Sequence, residues 1–160
     1  MMILEVKDAS LNVGGKDIFN GLSFVVESGK VIRVGGENEK YNTLLLHVIL
    51  GVIPLDKGYV CLDGEVVSEW SAASMRKRMA YVPLTLKSPD EREQGMTEKE
   101  MHRKLLERAA DNKKDVVLVD GIYDEEELGI CTGMAAEGAL VVLTRTRRSV
   151  ELNEIQTEGE

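Results

Sequence analysis

The hydrophobic pattern opens on strands, not on a helix. Ile3, Val6 and their neighbours alternate in part with polar residues. A turn at Asn12-Val13-Gly14-Gly15-Lys16 leads into a second strand over 18–26 (IFNGLSFVV). Glu27-Ser28-Gly29-Lys30 turns again, and 31–34 begins a third strand. Early strands joined by tight turns predict an antiparallel unit at the start of the chain. From there the period changes. Residues 43–50 are apolar on nearly every face, which predicts a buried helix with Thr43 at its cap or in its first turn. After Pro54 and Gly58 come a strand at 59–62, a hairpin turn at Asp63-Gly64 and its continuation at Val66-Val67. A short helix within 70–79 and a brief strand at 80–83 follow. Residues 87–95 read as loop. The segment 97–110 (TEKEMHRKLLERAA) reads as a helix, with Thr97 and Glu100 forming a capping box and Met101, Leu105, Leu106 and Ala109 the apolar stripe. Strands 116–119 (VVLV) and 139–143 (ALVVL) show no polar alternation, the mark of central strands covered on both faces. A glycine-weakened helix over 124–136 separates them. This alternation predicts an α/β sandwich.

Length and charge narrow the choices. A chain of 160 residues, 43% hydrophobic, forms one domain with a real core. A net charge of -8 argues against nucleic acid or an anionic membrane as the main partner. No stretch reads as a signal peptide or a spanning segment. Cys61 and Cys131 read as buried free thiols in a reducing compartment, with a disulfide between them left open. His47 reads as a satisfied helix residue. Arg76, Lys77 and Arg78 read as a solvated helix end, with phosphate contact as the alternative.

The chemistry concentrates at 31–51 (VIRVGGENEKYNTLLLHVILG), where a strand, a glycine pair, a polar loop and a helix follow one another. In α/β proteins such junctions bind anions, because the first N–H groups of the helix lack partners. Asp120, closing the strand VVLVD, stands where a magnesium ligand would fit, although a turn or capping role is the plainer reading.

Residues 22–64, with FVVESGKVIRVGG and then TLLLHVILGVIPLDKGYVCLDG, followed by RKRMAYVP at 76–83, closely resemble ATP-binding domains of ABC transporters. The resemblance covers most of 2–146 and is most specific over 51–64 and Ala80-Tyr81-Val82-Pro83. It implies one ATP-binding-like domain over 1–150, a P-loop NTPase-like three-layer sandwich with an N-terminal antiparallel subdomain and a much reduced helical subdomain; the polar, acidic composition of 151–160 reads as a frayed tail. The family phosphate loop, G-x-x-G-x-G-K-[ST]-T, falls on Gly35, Gly36, Glu37, Asn38, Glu39, Lys40, Tyr41, Asn42 and Thr43. Asn38 and Lys40 replace glycines, Tyr41 replaces the lysine, and Asn42 replaces the magnesium-holding hydroxyl. The resemblance leaves Gly35, Gly36, Lys40, Asn42 and Thr43 as a vestigial phosphate loop and Asp120 as a vestigial metal ligand. Val13 stands for the adenine-stacking aromatic, Leu84 for the glutamine after the Tyr-Val-Pro strand, and Gly121 for the general-base glutamate. Arg145 stands for the switch histidine, and Met96-Thr97-Glu98-Lys99-Glu100 for the signature L-S-G-G-Q.

Three functions follow as expectations. The first is a domain that has lost ATP hydrolysis, needs no cofactor, and acts as a partner of itself or of an ABC transporter subunit. It would sit in the cytoplasm or against the inner face of a membrane, without inserting. The second is an ATP-binding subunit using ATP and Mg2+ through Lys40 and Asp120. The third is a small-ligand module whose loop carboxylates, Glu37 and Glu39, favour a cation or amine.

Overall fold

The computed structural model describes residues 2–36, 38–84 and 95–144, and the backbone of 153–155. Two sheets share the chain. The first is antiparallel, in the order β2-β1-β4-β5, built from β1 (Ile3–Val13), β2 (Lys16–Glu27), β4 (Lys57–Leu62) and β5 (Glu65–Val66). The second is parallel, in the order β6-β7-β8-β3-β9, from β3 (Val31–Val34), β6 (Met79–Val82), β7 (Val116–Val119), β8 (Leu140–Leu143) and β9 (Asn153–Ile155). The helices are α1 (Glu39–Ile49), α2 (Ala72–Arg76), α3 (Glu98–Asn112) and α4 (Glu125–Ala136).

The unbroken apolar strands behave as their pattern predicts. Val116, Leu118, Leu140 and Val142 face a core shared with α1 and the antiparallel sheet. Their neighbours Val117, Val119, Val141 and Leu143 face a second core under α3 and α4. Side chains alternate across a strand, so a four-residue run with no polar member supplies both faces at once.

Several boundaries differ from the sequence reading. Helix α1 begins at Glu39, four residues before the predicted start, because Asn38 and not Thr43 caps it. Strand β1 looked irregular because it is bulged. The register shifts between Val6 and Ala9, and Asp8 adopts φ 49, so Leu4, Val6, Ala9 and Leu11 point inward at uneven spacing. Ile3 faces outward. Strand β9 lies within the expected tail and pairs with β3. Cys131 is buried, whereas Cys61 is only half-buried, and both are free thiols. The predicted loop at 87–95 falls almost wholly outside the described residues. Among the described residues, no helix is long and apolar enough to cross a membrane.

Candidate functional site

The site forms at the carboxyl ends of β3 and β7, where the loop before α1 meets Asp120. Gly35 follows β3 at φ 104, a conformation that glycine adopts without strain. A Cβ there would lie 2.0 Å from Asn42 Oδ1, so the loop packs directly on that side chain. Asn42 is fully buried in the first turn of α1. Its side-chain amide pairs with one backbone residue: Gly36 N–H donates to Oδ1 at 2.9 Å, and Nδ2 donates to the Gly36 carbonyl at 2.9 Å. Burial makes this pairing necessary, since each of these polar groups would otherwise lack a partner.

The helix N-terminus is also closed. Asn38 Oδ1 accepts the N–H of Lys40 at 3.0 Å and of Tyr41 at 3.3 Å. These are two of the donors that an anion at a helix start would use. The Lys40 side chain is exposed. Tyr41, at the position the resemblance gives to a lysine, has the Lys16 ammonium 5.7 Å from its ring centroid. Glu39 is exposed, and Glu37 lies outside the described residues.

Asp120 is 1% exposed, and both its carboxylate oxygens are engaged. Thr43 Oγ1 donates to Oδ2 at 2.5 Å, and Thr144 Oγ1 donates to Oδ1 at 2.9 Å. Its position ties α1, β7 and β8 together; it stands in the bend that follows β7, as the turn reading expects, while the capping alternative is corrected. Asp124, not Asp120, caps α4 by accepting the N–H of Glu127. Burial, and then the negative Asp120, push the Tyr81 phenol above its ordinary value. His47 Nε2 lies 3.4 Å from the Tyr81 hydroxyl, so this helix histidine has a partner.

Leu84 and Gly121 meet at the same end of the sheet. A Cβ on Gly121, at φ 89, would stand 2.7 Å from Leu84 Cδ1. The resemblance assigns a glutamine and a glutamate to these positions. Here a leucine fills the space that a side chain at 121 would enter. The segment assigned to the signature is used structurally. Thr97 and Glu100 form the predicted capping box of α3. Lys99 Nζ lies 3.3 Å from Asp124 Oδ2, and Arg103 binds Asp124 at 3.1 Å and Glu126 at 3.3 Å. Beneath them, buried His102 Nδ1 meets buried Glu127 Oε2 at 3.0 Å. Arg145 lies outside the described residues.

The structure thus brings Gly35, Gly36 and Asn42 into one cluster and Thr43 and Asp120 into another, while Lys40 joins neither. Sequence reasoning missed Asn38 as a cap, Thr144 as a partner of Asp120, and the Leu84–Gly121 contact. Only the first carried a legible signal, an asparagine just before a helical run. Magnesium fits these residues poorly, because Asp120 already has two hydroxyl donors and Asn42 is bound to Gly36. Among the described residues, no group of three or more His, Cys, Asp or Glu side chains is placed to hold a metal.

No protein-family model matches the chain. Sequence relatives do. It is 29% identical over 80 residues to YvrA, an uncharacterised ABC transporter ATP-binding protein of Bacillus subtilis, a match covering 50% of this chain and 18% of that protein. It is 31% identical over 81 residues to the hemin import ATP-binding protein HmuV of Pseudomonas fluorescens, covering 51% and 32%. It is 32% identical over 83 residues to MlaF of Escherichia coli, the ATP-binding protein of an intermembrane phospholipid transport system, covering 50% and 31%. These matches span about half of this chain and a third or less of each relative. Among solved structures, an ATP-binding subunit of an ABC transporter superposes with a TM-score of 0.75 at 15% identity, over 92% of this chain and 80% of that one. A putative ABC transporter ATP-binding protein of Pyrococcus furiosus gives 0.73 at 15% identity, over 97% of both. The fold is that of these subunits, and about half of the sequence is homologous to ABC transporter ATP-binding domains.

Proposed function

We propose that this chain is an ABC-type domain that does not hydrolyse ATP and acts through contacts with a protein partner, either a second copy or a transporter subunit. The observation that carries the proposal is the double pairing of buried Asn42 with Gly36. A triphosphate cradle needs free backbone N–H groups, a cation and a metal site. In this loop the Gly36 N–H serves Asn42, two helix N–H groups serve Asn38, and both oxygens of Asp120 serve threonines. The Asn38 and Asn42 side chains are internally satisfied, so these parts of the loop hold their bonds without a ligand. Leu84 packed on Gly121 extends the pattern to the positions that would orient water. A scaffold that keeps its sheets while its chemical positions bond to one another suits a role in assembly.

The test is a calorimetric titration of the full chain with Mg-ATP, beside a Lys40→Ala variant. The proposal expects no binding heat at about 1 mM nucleotide for either protein. Saturable heat that disappears in Lys40→Ala would refute it in favour of an altered but working loop.

A further inference from the structure

We propose that Asn20-Gly21 is a self-modification site, at which the Gly21 nitrogen attacks the Asn20 side-chain amide with help from the Ser10 hydroxyl and deamidates it. Asn20 is the only asparagine in the chain followed by glycine. A glycine nitrogen is the least hindered nucleophile that a following residue can offer, because no side chain flanks it. The fold leaves this pair open. β2 lies at the edge of its sheet and pairs with β1 alone. Between the rungs Ala9–Leu22 and Leu11–Phe19, β1 supplies Ser10, while β2 supplies both Asn20 and Gly21. Two residues against one make a bulge, and Gly21 sits in it at φ 73. Asn20 and Gly21 are exposed. No atom outside the neighbouring residues lies within 4 Å of a Cβ built on Gly21, so a ring closing there meets no obstacle.

Ser10 joins the two reacting groups. Its Oγ accepts the Gly21 N–H at 3.0 Å and donates to Asn20 Oδ1 at 3.3 Å. One hydroxyl thus holds the nucleophile and the carbonyl that it attacks. Solvent hydroxide takes the Gly21 amide proton, and the nitrogen bonds to Asn20 Cγ. Negative charge gathers on Oδ1, where the Ser10 hydroxyl already donates. The C–N bond of the side-chain amide breaks, and its nitrogen leaves as ammonia with a proton from water, which restores the hydroxide. Water then adds to either carbonyl of the resulting succinimide. Opening on one side gives aspartate at position 20. Opening on the other gives isoaspartate, whose main chain runs through the side-chain carbon and lengthens β2 at the bulge. Both products place a new carboxylate on the strand.

The test follows the full folded chain in mildly alkaline buffer by peptide mass spectrometry, with Asn12 and Asn112 of the same molecule as internal references. The expected result is conversion at Asn20 well ahead of both references, with aspartate and isoaspartate formed together. Ser10→Ala should slow the conversion about fivefold, the worth of one neutral hydrogen bond. The pair Ser10→Thr and Ser10→Val, alike in shape, separates the hydroxyl from the packing. Threonine should keep the wild-type rate, and valine should share the slow rate of alanine. In concentrated urea, where the bulge no longer holds Ser10 against Asn20, wild type and Ser10→Val should convert at one rate. Three outcomes overturn the proposal. In the first, Asn20 converts no faster than Asn12 or Asn112. In the second, aspartate forms without isoaspartate, the mark of direct hydrolysis that bypasses the Gly21 nitrogen. In the third, the folded Ser10→Val protein converts as fast as Ser10→Thr, which would leave the hydroxyl without a part in the reaction.

Discussion

Asn42 makes two hydrogen bonds to a single buried residue, and the loop depends on both. Asn42→Ala would take the partner from the Gly36 N–H and from the Gly36 carbonyl at once. Each buried polar group left unpaired costs about 1–3 kcal/mol. The expected loss is about 2–4 kcal/mol in urea unfolding, with no change in slope. If Asn42→Ala unfolded at the wild-type midpoint, the pairing would carry no weight in the folded state. The sequence places Asn42 in the wrong chemical class for a magnesium ligand, yet gives no hint that its amide would turn back onto the loop. The partners of Asp120 were equally hidden. Thr43 lies 77 residues away and Thr144 lies 24 away, so only the parallel sheet brings their hydroxyls to one carboxylate.

Among the elements, α1 shows what local chemistry can and cannot announce. Its apolar run was legible, but the start was set at Thr43 where that run begins, and the cap at Asn38, ahead of the polar first turn, was passed over. If Asn38 caps α1, Asn38→Ala costs about 1 kcal/mol and Asn38→Gly only a few tenths. Equal losses from the two variants in chemical denaturation would argue against the cap. Helices α3 and α4 are joined by the buried His102–Glu127 pair. Burial raises the Glu127 carboxyl, but the hydrogen bonds from His102 and from the Tyr123 N–H outweigh it and hold the pKa below the ordinary 4.5. The depressed value means that ionised Glu127 stabilises the fold above the ordinary glutamate range. That contribution is lost as pH falls through the lower, folded value. Asp124 is shifted in the same direction, chiefly by the Glu127 N–H, and adds to the acid sensitivity. Urea midpoints followed between about pH 6 and pH 3 should fall steeply for wild type and less steeply for Glu127→Gln. Parallel curves would exclude Glu127 as a source of the acid lability. No periodicity flagged Glu127 as buried, since it stands in a run of three acidic residues at the start of α4. Strand β9 escaped notice because three polar-rich residues carry no strand pattern.

At the scale of the whole molecule, the architecture was the most legible layer. Continuous apolar strands can only be satisfied by cover on both faces, and tight turns between early strands can only make an antiparallel sheet. These constraints are local and sum to a fold. The state of the site is set instead by which side chains find each other across the fold, so substitutions read along the chain said that catalytic groups had changed and not what the new residues bond to. Asn38 and Asn42 bond to the backbone, Thr43 and Thr144 bond to Asp120, and Leu84 covers Gly121. The central claim is that these contacts stand in place of a bound triphosphate. A crystal structure of the full chain grown with ATP and magnesium tests it most directly. The account predicts Asn42 still paired with Gly36, both Asp120 oxygens still on threonine hydroxyls, and no nucleotide at the loop. A triphosphate wrapped by residues 35–43, with a metal on Asp120, would contradict it.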